Sequence, residues 1–138
     1  MKKMTLKAGI SNLNRVLAFV DEELEAAGCS MKAQMQVDIA VEEMFVNIAN
    51  YAYFPGEGDA EVRVWTEEDP AGGKSFKIVF IDQGTPYDPL KQKAPDTTLS
   101  AAERQIGGLG IFMARKNMDD MAYEYRDGSN ILTMTKRF

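Results

Sequence analysis

Gly107-Gly108-Leu109-Gly110 stands directly before the apolar residues Ile111, Phe112 and Met113, and this apolar pattern continues at helical spacing to about Met118. Glycines at this density cost backbone entropy, and a flexible loop end does not explain why they adjoin a strongly apolar helix. A helix N-terminus that presents free N–H groups to a phosphate does explain it. The stretch therefore predicts a phosphate-binding helix start.

Two further polar stretches precede it, in the order that an adenine-nucleotide site needs. Within a long helical pattern, Glu43-Met44-Phe45-Val46-Asn47 places Glu43 and Asn47 four residues apart, so their side chains share one helix face. Asp82-Gln83-Gly84 follows the apolar run 78–81, which puts a carboxylate at a strand end. Taken alone, each is more typical of a solvated helix face or of a turn. Together with the glycines they predict an ATP site.

Composition indicates one small domain spanning 1–138. The chain has 45% hydrophobic residues and a net charge of −5, with no cluster of lysine and arginine, so binding to nucleic acid is not expected. No apolar run approaches the roughly 20 residues of a membrane span, and the first seven residues lack the apolar stretch of a signal peptide. We therefore expect a cytoplasmic protein without membrane contact, whose partners are other proteins.

Two features of the composition restrict the chemistry. The sequence contains no histidine, which excludes Ser-His-Asp and Cys-His nucleophilic sites, histidine-ligated zinc and a phosphorylated histidine within this chain. Cys29 is the single cysteine, so it has no partner for an internal disulfide, and a structural thiol is the favoured interpretation.

The hydrophobic periodicity predicts strands at 4–8, 61–66, 76–81, 121–126 and 130–137. A first helix is expected from Ser11 or Asn12 to Gly28, a second from the capping residue Ser30 to the break at Pro55, and a third at 108–118. The segment 83–105 is rich in proline and poor in large apolar residues, and it is longer than the usual connection in a compact domain. The expected fold is an α/β two-layer sandwich with a mixed, mostly antiparallel sheet and helices on one face.

Over nearly the whole chain, these motifs resemble the small ATP-binding domain shared by gyrase, heat-shock chaperones, histidine kinases and mismatch-repair proteins, the GHKL or Bergerat-type fold. Within that superfamily the chain is similar to the stand-alone anti-sigma-factor serine/threonine kinases, because it is too short to add the extra domains of the other members. It departs from the family pattern at Pro86, where a second glycine usually stands.

The resemblance implies a role for each motif. Asn47 would ligate Mg²⁺, and Glu43 would act as general base or orient the attacking hydroxyl group. Asp82 would accept a hydrogen bond from the adenine amino group, and Gly84 would let the backbone approach the base. The 107–110 stretch would hold the phosphates and hinge a lid formed by about residues 85–106. The expected nucleotide-binding residues are Asn47, Asn50, Asp82, Gly84, Arg104, Gly107, Gly108, Leu109 and Gly110.

The resemblance also implies partners, and it leaves two hypotheses open. As an enzyme, the protein would use ATP and Mg²⁺ to phosphorylate an anti-anti-sigma (STAS-type) protein. As a binding module, it would be a nucleotide-gated regulator that sequesters a sigma factor or another protein without transferring phosphate. Retention of both Glu43 and Asn47 favours the kinase, since a pure binding module has no need of the glutamate. A homodimer is expected in either case.

Overall fold

The computed structural model describes residues 1–91 and 108–138. Short 3-10 turns at Ile10–Asn12 and Pro89–Lys91 accompany the main elements. In chain order, these are β1 (Lys2–Lys7), α1 (Leu13–Ala26), α2 (Met31–Tyr51), β2 (Asp59–Glu68), β3 (Lys74–Asp82), α3 (Gly108–Asn117), β4 (Asp120–Arg126) and β5 (Ser129–Arg137).

The strands form one five-stranded sheet in the order β1-β2-β3-β5-β4. Its central strand, β3, pairs Phe80 with Val62 of β2 and with Leu132 of β5. Each strand pair in the described part of the chain is antiparallel. The α/β sandwich and its antiparallel sheet are therefore confirmed.

The parallel pairing that a mixed sheet requires is not found among the described strands. The chain leaves β3, passes through α3 and enters β4, which runs parallel to β3. A hairpin then returns β5 into the position between them. Because β5 separates the two parallel strands, they exchange no hydrogen bonds, and the mixed character that we expected is corrected to an antiparallel sheet.

The core lies between the three helices and one face of the sheet. Along β3, the alternating residues Phe76, Ile78 and Phe80 are at most 1% exposed and face the helices. The strands contribute to the core cluster through the same alternation, whereas α1 contributes every fourth residue. Members of this cluster from α1 and β2 are Val16, Val20, Leu24, Ala60, Val62 and Val64.

The opposite face of the sheet carries side chains that pair with one another along or across the strands. Arg63 pairs with Glu61 on β2, and Lys77 Nζ donates to Thr135 Oγ1 at 2.9 Å. These residues alternate with the core positions and are absent from the core cluster. The helices of the described chain therefore cover one face, as expected.

Local signals set several element ends. Ser30 caps α2 as predicted, since its Oγ accepts from the Ala33 N–H at 3.1 Å. Asn12 precedes α1 without capping it, because its amide donates to the Lys7 carbonyl oxygen at 2.9 Å. Asp127 and Gly128 turn the final hairpin with φ values of 52° and 79°, which is the geometry of a type I′ turn. Among the described residues, no helix is both long and apolar enough to cross a membrane.

Helices α1 and α2 bring two carboxyl groups together. Asp21 Oδ1 and Asp38 Oδ1 are buried, and no donor from the described residues reaches either atom. The two carboxyl groups can instead form a hydrogen bond with each other when they share one proton. Burial, the hydrogen bond with Asp21 and the Asp21 charge raise the pKa of Asp38 from its ordinary 3.8 to about 8.

This pair predicts a pH dependence of stability. Between about pH 4 and about pH 8 the folded chain keeps a proton on Asp38 that the unfolded chain releases, so the free energy of unfolding should decrease as the pH rises through that range. Asp38→Asn supplies a permanent donor to Asp21. We expect this variant to be more stable than the wild type near pH 8, and we expect its free energy of unfolding to lose the decrease between about pH 4 and about pH 8. Urea unfolding across the range measures both effects.

Glu68→Gln is the matched control, because Glu68 is exposed at the end of β2. It should keep the wild-type slope. Equal pH dependence in Asp38→Asn and the wild type would contradict a retained proton at this pair.

Candidate functional site

A cavity of about 440 Å³ opens between the C-terminal half of α2 and the sheet. Its size is within the usual range for small-molecule sites. The walls come from α2, the end of β3, the middle of β4, the start of β5 and the segment that follows β3. The lining residues are Met44, Asn47, Ile48, Tyr51, Ala52, Phe80, Asp82, Thr85, Pro86, Tyr87, Pro89, Tyr123, Asn130 and Leu132.

Asp82 provides a buried carboxylate in this cavity. It ends β3 in the same alternation as Phe80, which turns its side chain towards the helices, and it is 4% exposed. Its Oδ1 accepts hydrogen bonds from the Gly84 N–H and from Asn130 Nδ2, both at 2.9 Å. These bonds offset part of the cost of burying a charge. No hydrogen bond to Oδ2 is found within the described part of the chain, so that oxygen is the one that a ligand would use.

Gly84 lies against the end of α2. A Cβ atom at this position would overlap the backbone carbonyl group of Ala52, and the Thr85 N–H donates to the same carbonyl oxygen at 2.8 Å. The family resemblance implies that Gly84 lets the backbone approach a base, and this stays a prediction. The structure shows a close approach to helix α2, which fixes the start of the 84–87 segment beside Asp82.

This contact predicts a stability effect. Gly84→Ala places a methyl group on backbone atoms that cannot rotate away, so we expect a loss of about 1–3 kcal/mol in the free energy of unfolding. Gly9→Ala is the control, because the nearest atom to its added Cβ is Ser11 Oγ at 3.9 Å. Chemical denaturation of both variants provides the comparison. Equal stabilities would show that the Ala52 contact is not restrictive.

Asn47 and Glu43 lie on the side of α2 that faces the cavity and α3. Asn47 lines the cavity. The Glu43 carboxylate lies against Gly110, where a Cβ atom would overlap its Oε2. Burial, followed by the negative charge of Glu42, raises the pKa of Glu43 above its ordinary 4.5, which makes it a better proton acceptor. Glu42, the neighbouring acidic residue on α2, is exposed.

The structure places Asn50 away from this group. It is exposed and is not among the residues that line the cavity. Three residues after Asn47, it is turned about 60° around the helix towards solvent. Tyr51, one position further along, lines the cavity instead.

The glycine stretch is described only in part. Helix α3 begins at Gly108, as the sequence predicts, and Gly110 brings its first turn against Glu43. Arg104, Gly107 and the part of the predicted lid at 92–106 lie outside the described residues, as does the side-chain environment of Leu109. Of that lid, Thr85, Pro86, Tyr87 and Pro89 line the cavity.

Sequence reasoning missed several residues of the site, Asn130 above all. This side chain is 7% exposed and bonds to Asp82. The strand pattern could have indicated it. Asn130 alternates with Leu132 and Met134 along β5, so it is a polar residue on the side of the strand that faces the core. The aromatic cavity residues Tyr51, Tyr87 and Tyr123 were also not assigned to the site.

The described residues contain no group of three or more histidine, cysteine, aspartate or glutamate side chains suited to hold a metal ion. A cation in this cavity would therefore be held by single oxygen donors such as Asn47 and by oxygen atoms of a small molecule bound beside it. This fits Mg²⁺, which commonly takes one or two protein oxygens together with phosphates and water.

Residues 6–136 match the family model of the histidine kinase-like ATPase domain, and the chain belongs to this family. Among curated proteins, the chain is similar to the serine-protein kinase RsbW of Listeria monocytogenes, with 33% identity over 80% of this chain and 69% of the relative. It is also similar to the serine/threonine-protein kinase BtrW of Bordetella bronchiseptica, with 27% identity over 77% of this chain and 72% of the relative.

Two solved structures share the fold at 16% identity. One contains the RsbU and RsbW domains of a Mycobacterium tuberculosis protein, with a TM-score of 0.63 over 99% of this chain. The chain spans 32% of that longer protein. The other is the SiaB-SiaC complex of Pseudomonas aeruginosa, with a TM-score of 0.54 over 98% of this chain and 89% of its match.

Proposed function

We propose that this protein is an ATP-dependent serine/threonine kinase that phosphorylates an anti-anti-sigma (STAS-type) protein. The proposal depends on the arrangement of polar residues around the cavity. The buried Asp82 carboxylate lies at one end of it. Helix α2 forms another wall and carries Asn47 and Glu43, of which Glu43 lies beside the start of α3. The curated relatives named as protein kinases support the reaction class.

The base would occupy the end of the cavity at Asp82. A carboxylate oxygen without a donor among the described residues suits the amino group of adenine, since a charged acceptor strengthens the hydrogen bond. The rings of Tyr51 and Tyr87, which are 45% and 40% exposed, line the same cavity and offer apolar surface to a purine.

The phosphates would extend from this end towards α3. The first turn of a helix has N–H groups without intrahelical partners, and α3 begins with Gly108-Leu109-Gly110. Asn47 would hold Mg²⁺ together with the phosphates, and the ion would neutralise charge on the transferred group. Gly110 has no side chain to separate this backbone from Glu43.

Glu43 would accept the proton of the serine or threonine hydroxyl group, or orient that group. Its raised pKa serves this role, because a base whose pKa lies closer to the working pH accepts a proton more readily. Since the deprotonated form is required, transfer should decline as the pH falls through this raised pKa.

The alternative function is a nucleotide-gated regulator that binds a sigma factor or another partner without transfer. The comparison with the SiaB-SiaC complex shows that this fold also occurs in a protein-protein assembly. For either function we propose a homodimer that acts in the cytoplasm.

Calorimetric titration with ATP, with and without Mg²⁺, tests the nucleotide site. The proposal predicts saturable ATP binding that Mg²⁺ strengthens. Absence of binding at millimolar ATP would overturn both the kinase and the nucleotide-gated alternative.

A further inference from the structure

Asn130 uses its whole side chain in hydrogen bonds. Its Oδ1 accepts from the Tyr87 N–H at 3.1 Å and from the Tyr123 hydroxyl group. Its Nδ2 donates to Asp82 Oδ1 at 2.9 Å and to the Thr85 carbonyl oxygen at 3.1 Å, with a longer contact of 3.4 Å to the Gly84 carbonyl oxygen. A buried amide is stabilised when all its donors and acceptors are engaged.

These partners belong to separate parts of the site. Asp82 ends β3, Tyr123 lies on β4, and Thr85 and Tyr87 belong to the 84–87 segment that forms one wall of the cavity. One side chain at the start of β5 thus joins the carboxylate to the wall beside it.

The network permits one orientation of the amide. If the Asn130 oxygen and nitrogen were exchanged, the oxygen would face Asp82 Oδ1 and the nitrogen would face the Tyr87 N–H, which gives two repulsive contacts. The Tyr123 hydroxyl group can donate or accept and fits either orientation, so the choice depends on Asp82 and on the Tyr87 N–H. In this orientation Asn130 presents a donor to Asp82.

We propose that Asn130 is a positioning residue that holds Asp82 and the 84–87 wall in one fixed geometry and thereby sets the selectivity of the site for a 6-aminopurine. The inference rests on the proposed nucleotide site. Asn130 acts on the base through Asp82. Asn130 Nδ2 and the Gly84 N–H both donate to Asp82 Oδ1, so Asp82 Oδ2 remains for the ligand.

The test compares ATP with ITP, whose base carries an oxygen in place of the amino group. For the wild type we expect preference for ATP. In Asn130→Asp, the side chain keeps its shape and its acceptor for Tyr87, but a carboxylate oxygen replaces the donor that faces Asp82. ATP affinity should fall at least about tenfold, and the preference over ITP should be reduced by a similar factor.

Low pH provides a second readout that a merely structural role would not give. Two adjacent carboxyl groups share a proton, which raises one of their pKa values and restores a donor between them. In Asn130→Asp, the preference for ATP should therefore recover as the pH is lowered, relative to the wild type at the same pH. Asn14→Asp makes the same chemical change at an exposed position of α1 and should resemble the wild type throughout.

Tyr123→Phe keeps the proposal testable if Asn130→Asp does not fold. It removes one donor to Asn130 Oδ1, so the ATP preference should decrease and exchange of the Tyr87 amide hydrogen should accelerate. Unchanged preference in a folded Asn130→Asp or in Tyr123→Phe would overturn the positioning role while leaving the nucleotide site intact. A wild type that binds no ATP would instead refute the proposed function.

Discussion

Glu43→Gln is expected to bind Mg²⁺-ATP almost as the wild type does and to lose phosphate transfer by a factor of about 10²–10⁴. The amide keeps the size of the side chain beside Gly110 but does not accept the proton of the acceptor hydroxyl group. Burial already holds the pKa of Glu43 above its ordinary value, so the wild-type site is suited to that proton transfer. Initial rates of phosphate transfer, combined with ATP titration, separate the two effects.

Asn47→Ala is the informative comparison, because it removes an oxygen that lines the cavity on the same helix. We expect weaker Mg²⁺-dependent ATP binding as well as slower transfer. Glu68→Gln is the matched control, since this side chain is exposed at the end of β2. Transfer by Glu43→Gln at the wild-type rate would contradict the assignment of Glu43 as the base.

Asp82→Asn should reduce the affinity for ATP by about 1.5–3 kcal/mol, because the substitution removes a charged acceptor at the base end of the cavity. An amide at this position can still accept from the Gly84 N–H, so the fold should persist. Its NH₂ group would face the amino group of adenine as a second donor, whereas it can donate to the oxygen of ITP. The preference between the two nucleotides should therefore decrease or reverse.

Calorimetric titration with ATP and with ITP measures this change, and denaturation of the nucleotide-free variant shows whether the fold persists. If Asp82→Asn binds ATP as tightly as the wild type does, the base lies elsewhere. Asp82→Ala is a poorer choice for this test, since it leaves Gly84 and Asn130 without their acceptor.

Local features of the sequence were sufficient to predict the elements of the fold. The helical spacing of α1 and α2 and the cap at Ser30 depend on neighbouring residues, and the structure agrees with each. The order of the strands depends on long-range packing. The insertion of β5 between β3 and β4 is therefore not encoded in any short pattern, and the mixed sheet was the wrong expectation.

The same distinction applies to the site. Asp82, Gly84 and the Glu43–Asn47 pair stand in compact motifs, so they could be selected from the sequence, although their functional roles stay predictions. Asn130 is 48 residues from Asp82, and its importance depends on the pairing of β5 with β3. The Asp21–Asp38 contact likewise depends on how two helices pack.

Phosphate transfer to a STAS-type partner tests the central claim most directly. The wild type would be incubated with ATP, Mg²⁺ and a candidate partner protein, and the partner would then be analysed by mass spectrometry for phosphoserine or phosphothreonine. The kinase proposal predicts phosphorylation of the partner that requires Mg²⁺ and is lost in Glu43→Gln. A partner that binds in an ATP-dependent way but is never phosphorylated would contradict the kinase and identify the protein as a nucleotide-gated regulator.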